Sequence, residues 1–542
     1  MDETAPAVRF ATDFGQGRRR LHDFSTGTTM RLQQLVEGGG EISRRGELSD
    51  DPVIEDIVLD SRQVGPGSLF AALPGRQVDG HDFIGAAVDA GASAILAQSD
   101  RRDEVSAPVP IVWAEDTRRS LGPLSAHFFD HPSRELDVVG VTGTNGKTTT
   151  CAILESVFRE TGRRVGVIGT VGYRWGAVEI EGANTTPESL LLQRLLRRMS
   201  DDGVDLVVME VSSHALATHR MRGMELRAAL FTNLSQDHLD FHGDMSSYRA
   251  TKERRFRRVL PRSAAAGRSA SAVLNVDDPV GAELAGELEE EAAGIDVWRF
   301  SSEGNRADVQ AESVEQTLQG TRLRIESGGE LRRVDVPLFG DFNASNCSGA
   351  ASVGLALGLD LAQVGSGLAS VGAIPGRLER VSGAEQPAVF VDYAHTPHAL
   401  RRLLATLAPL TNGRLIVVFG CGGDRDAGKR PKMGRAAREG ADLAVVTSDN
   451  PRSEDPDAII AQILEGIDAP AVDTIEELRG WETGVAVVSD RGRAIAEAIA
   501  LAGPDDAVVI AGKGHEDYQE IDGERRPFDD AARAREALQA TR

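Results

Sequence analysis

The chain has 542 residues, 41% apolar and 26% charged, with a formal net charge of −23. At roughly 150 residues per domain this predicts three or four units, and the acidic balance argues against nucleic acid as the main partner, because backbone binding rests on basic surface. No run approaches the roughly 18 apolar residues of a spanning helix, the charged start has no signal-peptide core, and Cys151, Cys347 and Cys421 form no CxxC pair or disulfide framework. The expectation is a globular, cytoplasmic protein without membrane insertion.

Residues 1–29 lack apolar periodicity and are expected to be a disordered extension, and MRLQQLVEG, from Met30, predicts a first helix. IEDIVLDS, SLFAAL, ASAILAQ and PVPIVWA alternate with the helical FIGAAVDAG, which predicts a small α/β domain over 30–137. A second unit opens at LDVVGVTG and continues with VGVIGT, VDLVVMEVSS and RAALFTNLS, the βα alternation of a mainly parallel sheet over 138–374. Its charged stretch from about 280 to 335 ends in candidate antiparallel strands, TRLRIESGGELRRVDVP. After PGRLERV a third α/β unit, 375–542, is predicted from strands at AVFVDYA, RLIVVFGCG, ADLAVVTSD and AVVIAGKG.

The chemistry begins at VVGVTGTNGKTTT, an apolar strand, a Gly-rich turn and a helix predicted near Thr148. Backbone N–H groups of Gly143, Thr144, Asn145 and Gly146 and the helix N-terminus form a phosphate cradle, completed by Lys147, Thr148 and Thr149. Lys147 can reach terminal phosphates and Thr148 can offer a hydroxyl to Mg²⁺. The strict P-loop spacing fails, since position 141 is Val. Only five lysines occur in the chain: Lys147, Lys252, Lys429, Lys432 and Lys513. Arginine replaces lysine where charge alone matters, so a retained lysine marks a place that needs a compact, titratable amine.

GTNGKT resembles the ATP loop of the Mur ligases and their relative folylpolyglutamate synthase. The resemblance runs from Met30 to the end. It implies a UDP-sugar-binding domain, a central ATPase domain with a P-loop-type parallel sheet, and a Rossmann-like amino-acid-binding domain. In NLSQDHLDFHGDMSSYRATKERRF it implies that Lys252 becomes a carbamate (N6-carboxylysine), which with Thr148, Glu210 and His238 holds Mg²⁺, two ions in all; oxygen ligands suit that hard cation. Lys147, Glu210, His238 and Lys252 are thus the candidate catalytic residues. Asn343 and Asn346 of GDFNASNCSGAAS, Arg377 of PGRLERV and Asp392 of VDYAHTP join the loop in binding ATP, and Asn343 is also a candidate helix cap.

The same resemblance places a UDP-MurNAc-dipeptide on Leu59, Ser61, Arg76, Gln77 and Val78, then on Asn184, Thr185 and Thr186 of ANTTPES, and on Ser212, Thr218 and Arg220. Thr218 departs from the family, where Gln is common, and His398 stands where Asp is common. GCGGDRDAGKRPKMG, TSDNPRSEDP and AGKGHEDYQ match the diaminopimelate-adding members. They assign Arg425, Asp449, Asn450, Pro451, Arg452, Gly512 and Glu516 to the amino acid, with the planar fork of Arg452 suited to a carboxylate. The implied enzyme is a monomeric ATP-dependent ligase of cell-wall precursor synthesis that takes only small-molecule substrates and works through an acyl phosphate. Lysine as acceptor, or a non-catalytic nucleotide-binding relative, is the alternative.

Overall fold

A computed structural model describes residues 27–39, 50–75, 78–235, 244–265, 267–291, 294–383 and 385–540. Up to residue 26 the N-terminal extension lies outside them, as do Arg76, Gln77 and His238. Among the described residues the chain builds three large sheets in succession, beside two two-stranded pairings. The first is a four-stranded parallel sheet of β1 (Asp56–Val58), β2 (Ser68–Ala71), β3 (Ala94–Gln98) and β4 (Ile111–Ala114) in that order. Helices α1 (Leu32–Gly38) and α2 (Ile84–Asp89) accompany it, with α3 (Thr117–Phe128) following β4. The predicted first helix starts two residues late: Met30 and Arg31 are extended and pair antiparallel with Ile54 and Val53.

The central sheet has eleven strands. They are β5 (Asp137–Thr142), β6 (Val165–Gly169), β7 (Gly172–Trp175), β8 (Val178–Ile180), β9 (Leu206–Glu210), β10 (Ala228–Phe231), β11 (Ala270–Asn275), β12 (Ile295–Ser301), β13 (Val309–Thr317), β14 (Gly320–Ser327) and β15 (Glu330–Val336). Their order is β8-β7-β6-β9-β5-β10-β11-β12-β13-β14-β15, parallel from β6 through β13 and antiparallel at both edges. Continuous apolar runs such as VVGV are what a parallel strand covered on both faces requires, and separate cores do form on the two faces, around Val139 and Val141 on one and Val138 and Val207 on the other. The antiparallel edge follows the alternation of TRLRIES: Leu323 and Ile325 are buried while Arg322 and Arg324 are exposed. Its first strand, β13, was not read from the sequence, and two of its nine residues are buried.

Seven strands form the third sheet: β16 (Glu379–Arg380), β17 (Ala388–Asp392), β18 (Leu415–Phe419), β19 (Leu443–Val446), β20 (Ala471–Val472), β21 (Gly484–Val487) and β22 (Ala507–Ala511). The order is β16-β17-β22-β18-β19-β21-β20, parallel except at β16. A separate hairpin of β23 (Tyr518–Ile521) and β24 (Glu524–Pro527) follows. Among the described residues no helix is long and apolar enough to cross a membrane.

Candidate active site

The phosphate loop lies between the carboxyl end of β5 and α4 (Lys147–Glu160), where open α/β sheets place ligands. The helix begins at Lys147, one residue before the predicted start. Gly146 precedes it at φ +85°, and a Cβ there would sit 2.4 Å from Asn346 Oδ1, so the backbone requires glycine on both counts. The segment after β10 braces the loop. Thr144 N donates to Asn233 O at 2.8 Å, Asn145 N donates to Asn233 Oδ1 at 2.9 Å, and Thr232 Oγ1 donates to Asn145 O at 2.6 Å. Lys147 Nζ folds back onto the Gly143 and Thr144 carbonyls at 3.0 and 2.9 Å.

Glu210 ends β9 and is 2% exposed. Its carboxylate accepts from Thr148 Oγ1 (3.1 Å), Thr170 N (2.8 Å) and Thr170 Oγ1 (3.1 Å). The strand end, the phosphate loop and the turn after β6 are therefore tied at one carboxylate. Thr170 escaped the sequence reading, although its place just after a buried strand was a usable signal. Lys252, on α5 (Met245–Arg254), is 2% exposed, with Nζ 4.6 Å from the centroid of the Tyr248 ring. Tyr248 Oη lies 3.2 Å from Thr144 Oγ1, which links this helix to the phosphate loop. Among the described residues no group of three or more His, Cys, Asp or Glu side chains forms a metal cluster. The Thr148 hydroxyl and the Glu210 carboxylate, 3.1 Å apart, are nonetheless oxygen donors of the kind Mg²⁺ takes.

Asn343 and Asn346 lie in the first turns of α6 (Phe342–Ala356), both buried. Asn346 Nδ2 donates to Asn343 Oδ1 at 2.8 Å, Thr150 Oγ1 lies 3.3 Å from Asn346 Oδ1, and Asn343 Nδ2 donates to Phe339 O at 2.8 Å. The cap position belongs to Asp341, so the capping role expected of Asn343 is corrected. Arg377 lies over the Tyr393 ring at 4.8 Å, and Asp392 accepts from the Leu378 and Ala394 amides at 2.7 and 2.8 Å. Burial raises the Asp392 carboxyl above its ordinary range, against the pull of Arg377 and these amides. His515 is pushed down to about 4 by burial and then by Arg377.

The candidate dipeptide residues gather in one hydrogen-bonded patch. Thr186 Oγ1 donates to Glu210 O at 2.9 Å and accepts from Ser212 N at 3.0 Å. Arg220 Nη1 donates to Thr186 O at 2.8 Å, Thr185 Oγ1 is 3.1 Å from Thr170 Oγ1, and Asn184 O accepts from Tyr173 Oη at 2.7 Å. The Thr218 hydroxyl donates to His214 O at 2.7 Å. Arg220 also pairs with Glu188 at 3.1 Å, and Arg118 of α3 reaches the same carboxylate at 3.1 Å, so the first domain docks against this patch. In that domain Leu59 is half-buried, Ser61 opens a short 3₁₀ turn and Val78 is exposed.

The candidate amino-acid residues stand at the carboxyl ends of β18, β19 and β22. Asn450 is the hub: Nδ2 donates to Glu516 Oε2 at 2.9 Å, and Oδ1 accepts from Lys513 Nζ and Glu520 N, both at 3.0 Å. Asp449 is buried beneath Gly512, whose added Cβ would lie 2.6 Å from Asp449 Oδ2. Arg452 Nη1 donates to Gly423 O at 2.7 Å, and Pro451 O accepts from Glu454 N at 3.0 Å. Arg425 stands apart, exposed, with Nη1 donating to Asp424 O at 3.3 Å.

Two buried arginines missed by the sequence reading hold these loops together. Arg430, 1% exposed at the start of α7 (Arg430–Gly440), grips both Glu454 oxygens at 2.8 Å and donates to Gly422 O at 3.2 Å. Arg491 pairs with Asp530 and donates to Ser448 O and Ala511 O at 3.4 and 3.1 Å. The Arg430 fork, with the Asp424 amide, holds Glu454 down at about 2, against an ordinary 4.5. A depressed carboxylate contributes stability that is complete above its unfolded value and lost as pH falls through its folded one. The stability difference between the wild type and Glu454→Gln should therefore be constant above pH 5 and shrink from about 4.5 toward 2 in denaturant titrations; a difference independent of pH would contradict the pairing.

Family models match all three units: the Mur ligase family catalytic domain over residues 53–129, the Mur ligase middle domain over 141–354 and the Mur ligase glutamate ligase domain over 376–514. A UDP-N-acetylmuramoyl-L-alanyl-D-glutamate–2,6-diaminopimelate ligase from Gloeobacter violaceus is 44% identical over 514 residues, covering 95% of this chain and 99% of the relative. The ligase of the same name from Syntrophomonas wolfei is 41% identical over 495 residues, 91% of this chain and 96% of its own. A solved structure of a ligase with that name superposes with a TM-score of 0.67 at 32% identity, covering 94% of this chain and 99% of the other. The chain belongs to the Mur ligase family.

Proposed function

We infer that the protein is an ATP-dependent ligase that joins meso-2,6-diaminopimelate to the D-Glu γ-carboxylate of UDP-N-acetylmuramoyl-L-alanyl-D-glutamate, a step in peptidoglycan precursor synthesis. Relatives that share at least 41% identity over nine-tenths of the chain carry the two substrates in their names. The observation that carries the choice of amino acid is Arg452, partly exposed, held by Gly423 O and Glu520, and two residues along the chain from Asn450, which bonds Glu516. A guanidinium fork built for a carboxylate loses that partner when lysine, which lacks the distal carboxylate, binds instead, and sites of this kind discriminate by up to about 10⁴. Phosphate release from ATP with the UDP-dipeptide should therefore occur with diaminopimelate and not with L-lysine; preference for lysine would sink the assignment of Arg452.

In this reading the γ-carboxylate attacks the terminal phosphate of ATP, giving an acyl phosphate and ADP, and the amine of the amino acid then displaces phosphate. The phosphate-loop amides and Lys147 orient and screen the phosphates, which is catalysis by positioning and electrostatics. Asn343, Asn346, Arg377 and Asp392 hold the nucleotide, while Leu59, Ser61, Arg76, Gln77 and Val78 take the uridine end. Asn184, Thr185, Thr186, Ser212, Thr218 and Arg220 take the dipeptide, the Thr218 hydroxyl also donating to His214 O. Two Mg²⁺ ions would be held by Thr148, Glu210, His238 and Lys252 as its carbamate, and would supply further charge neutralisation. Domains at 30–137, 138–374 and 375–542, a monomeric state and a cytoplasmic location complete the proposal.

The carbamate makes a separate prediction. Arginine matches lysine in charge but stays protonated and does not take up CO₂. Both Lys252→Arg and Lys252→Ala should lose turnover by at least about 10²-fold, measured as product formation under saturating ATP. Full activity in Lys252→Arg would remove the carbamate from the mechanism.

A further inference from the structure

Arg452 is not held by its own loop alone. Its φ is +56°, in the left-handed region that a long side chain rarely adopts. A parallel bridge to β23 locks that conformation: Arg452 N donates to Glu520 O at 2.9 Å, and Asp522 N donates to Arg452 O at 2.7 Å. Next along the strand, Glu520 N donates to Asn450 Oδ1 at 3.0 Å and Gln519 Nε2 donates to Asp449 O at 2.7 Å. The hairpin is thus zipped along the Asp449–Arg452 segment.

The side chains repeat the arrangement. Arg452 Nε lies 3.4 Å from Glu520 Oε2, and Nη1 donates to Gly423 O. The nearby Asp424 carboxylate is engaged by Ser453 N and Oγ at 3.1 and 2.7 Å, which leaves Glu520 as the counter-charge at the Nε edge. The second Nη1 proton and the Nη2 amino group then form a planar fork pointing away from it. On the other side of Asn450, Glu516 pairs with the fully buried Lys513 at 3.3 Å. Two ion pairs, Arg452–Glu520 and Lys513–Glu516, therefore flank the Asp449–Arg452 segment, and a site balanced in this way favours a ligand end that itself carries both a carboxylate and an ammonium.

We propose that Glu520 is a specificity-determining positioning residue: its carboxylate holds the Nε edge of Arg452 so that the guanidinium meets the amino acid's distal carboxylate with its Nη1/Nη2 fork. The proposal rests on the assignment of Arg452 made above. Glu520 also competes as an anion, but it occupies a different edge, so both carboxylates bind at once and the orienting effect wins.

Steady-state kinetics of the full chain test this. Glu520→Ala should raise KM for diaminopimelate about tenfold, the effect of losing one hydrogen bond to a charged group, with kcat and the KM values for ATP and the UDP-dipeptide within about twofold of the wild type. Glu520→Gln keeps an oxygen opposite Nε and the backbone pairing, and should restore KM to within about threefold. An unchanged or lowered KM in Glu520→Ala, a fall in kcat at constant KM, or no rescue by Gln overturns the proposal. Arg452→Ala run in parallel separates the two claims. If it leaves KM for diaminopimelate unchanged, the carboxylate assignment fails and takes Glu520 with it; if it raises KM while Glu520→Ala does not, only the role of Glu520 fails.

Discussion

Glu210→Gln is expected to lower turnover by about 10²–10³-fold while the protein stays folded. The side chain is nearly isosteric, and Oε1 continues to accept from Thr170 N, 2.8 Å away in the native protein. Its new amide would face the Thr148 and Thr170 hydroxyls, now donors at 3.1 Å, and a hydroxyl rotates readily to become the acceptor. The stability cost is then that of a rearranged hydrogen bond, about 1 kcal/mol. What is lost is one negative charge, 2% exposed and directly beside the phosphate loop, where low dielectric makes charge count most. Phosphate release and a thermal melt of the same preparation measure the two effects. Full turnover with an intact melt would remove Glu210 from the chemistry and leave it a structural clamp for Thr148 and Thr170.

Arg491→Met is expected to destabilise the protein by about 3–5 kcal/mol, because it strands Asp530 as an uncompensated buried charge. Both side chains are 0% exposed, and the pair is bidentate, with Nε to Oδ1 at 2.8 Å and Nη2 to Oδ2 at 2.6 Å. Replacing both partners removes both desolvation penalties, so Arg491→Met with Asp530→Leu should recover most of the loss in denaturant titrations. If the double variant were as unstable as the single one, the packing of α8 (Arg491–Leu501) against α9 (Asp530–Ala540), not the ion pair, would be the origin. The single variant should also weaken amino-acid binding: Arg491 holds the carbonyls of Ser448 and Ala511, the residues directly before Asp449 and Gly512. A rise in KM for diaminopimelate at unchanged KM for ATP is the corresponding kinetic signature.

Much of the site was legible because its motifs are local. A glycine turn after an apolar strand, a lysine kept in a lysine-poor chain and a carboxylate at a strand end each announce a backbone geometry or a charge requirement within a few residues. The loop at Gly143–Thr149, the strand-end Glu210 and the Asp449–Arg452 turn all stand where that reasoning put them. Asn343 was half misread, because the helix starts two residues earlier than a cap at Asn343 would require, and Asp341 occupies the cap position. Strand β13 was missed because VQAESVEQT is mostly polar; as part of an antiparallel extension it needs only one apolar face.

The sequence by itself determined the fold class, the strand–turn–helix placement of the phosphate loop and the identity of the side chains at the sheet edges, since all of these follow from periodicity and from residue chemistry over short stretches. Only the tertiary structure decided what holds those side chains. Thr170 reaches Glu210 across 40 residues, Arg430 reaches Glu454 across 24, Arg491 reaches Asp530 across 39, and the Arg118–Glu188–Arg220 link joins two domains. Such pairs have no period and no fixed spacing. They exist because parallel strands bring distant segments to one edge, where buried charges must find partners to offset their lost hydration.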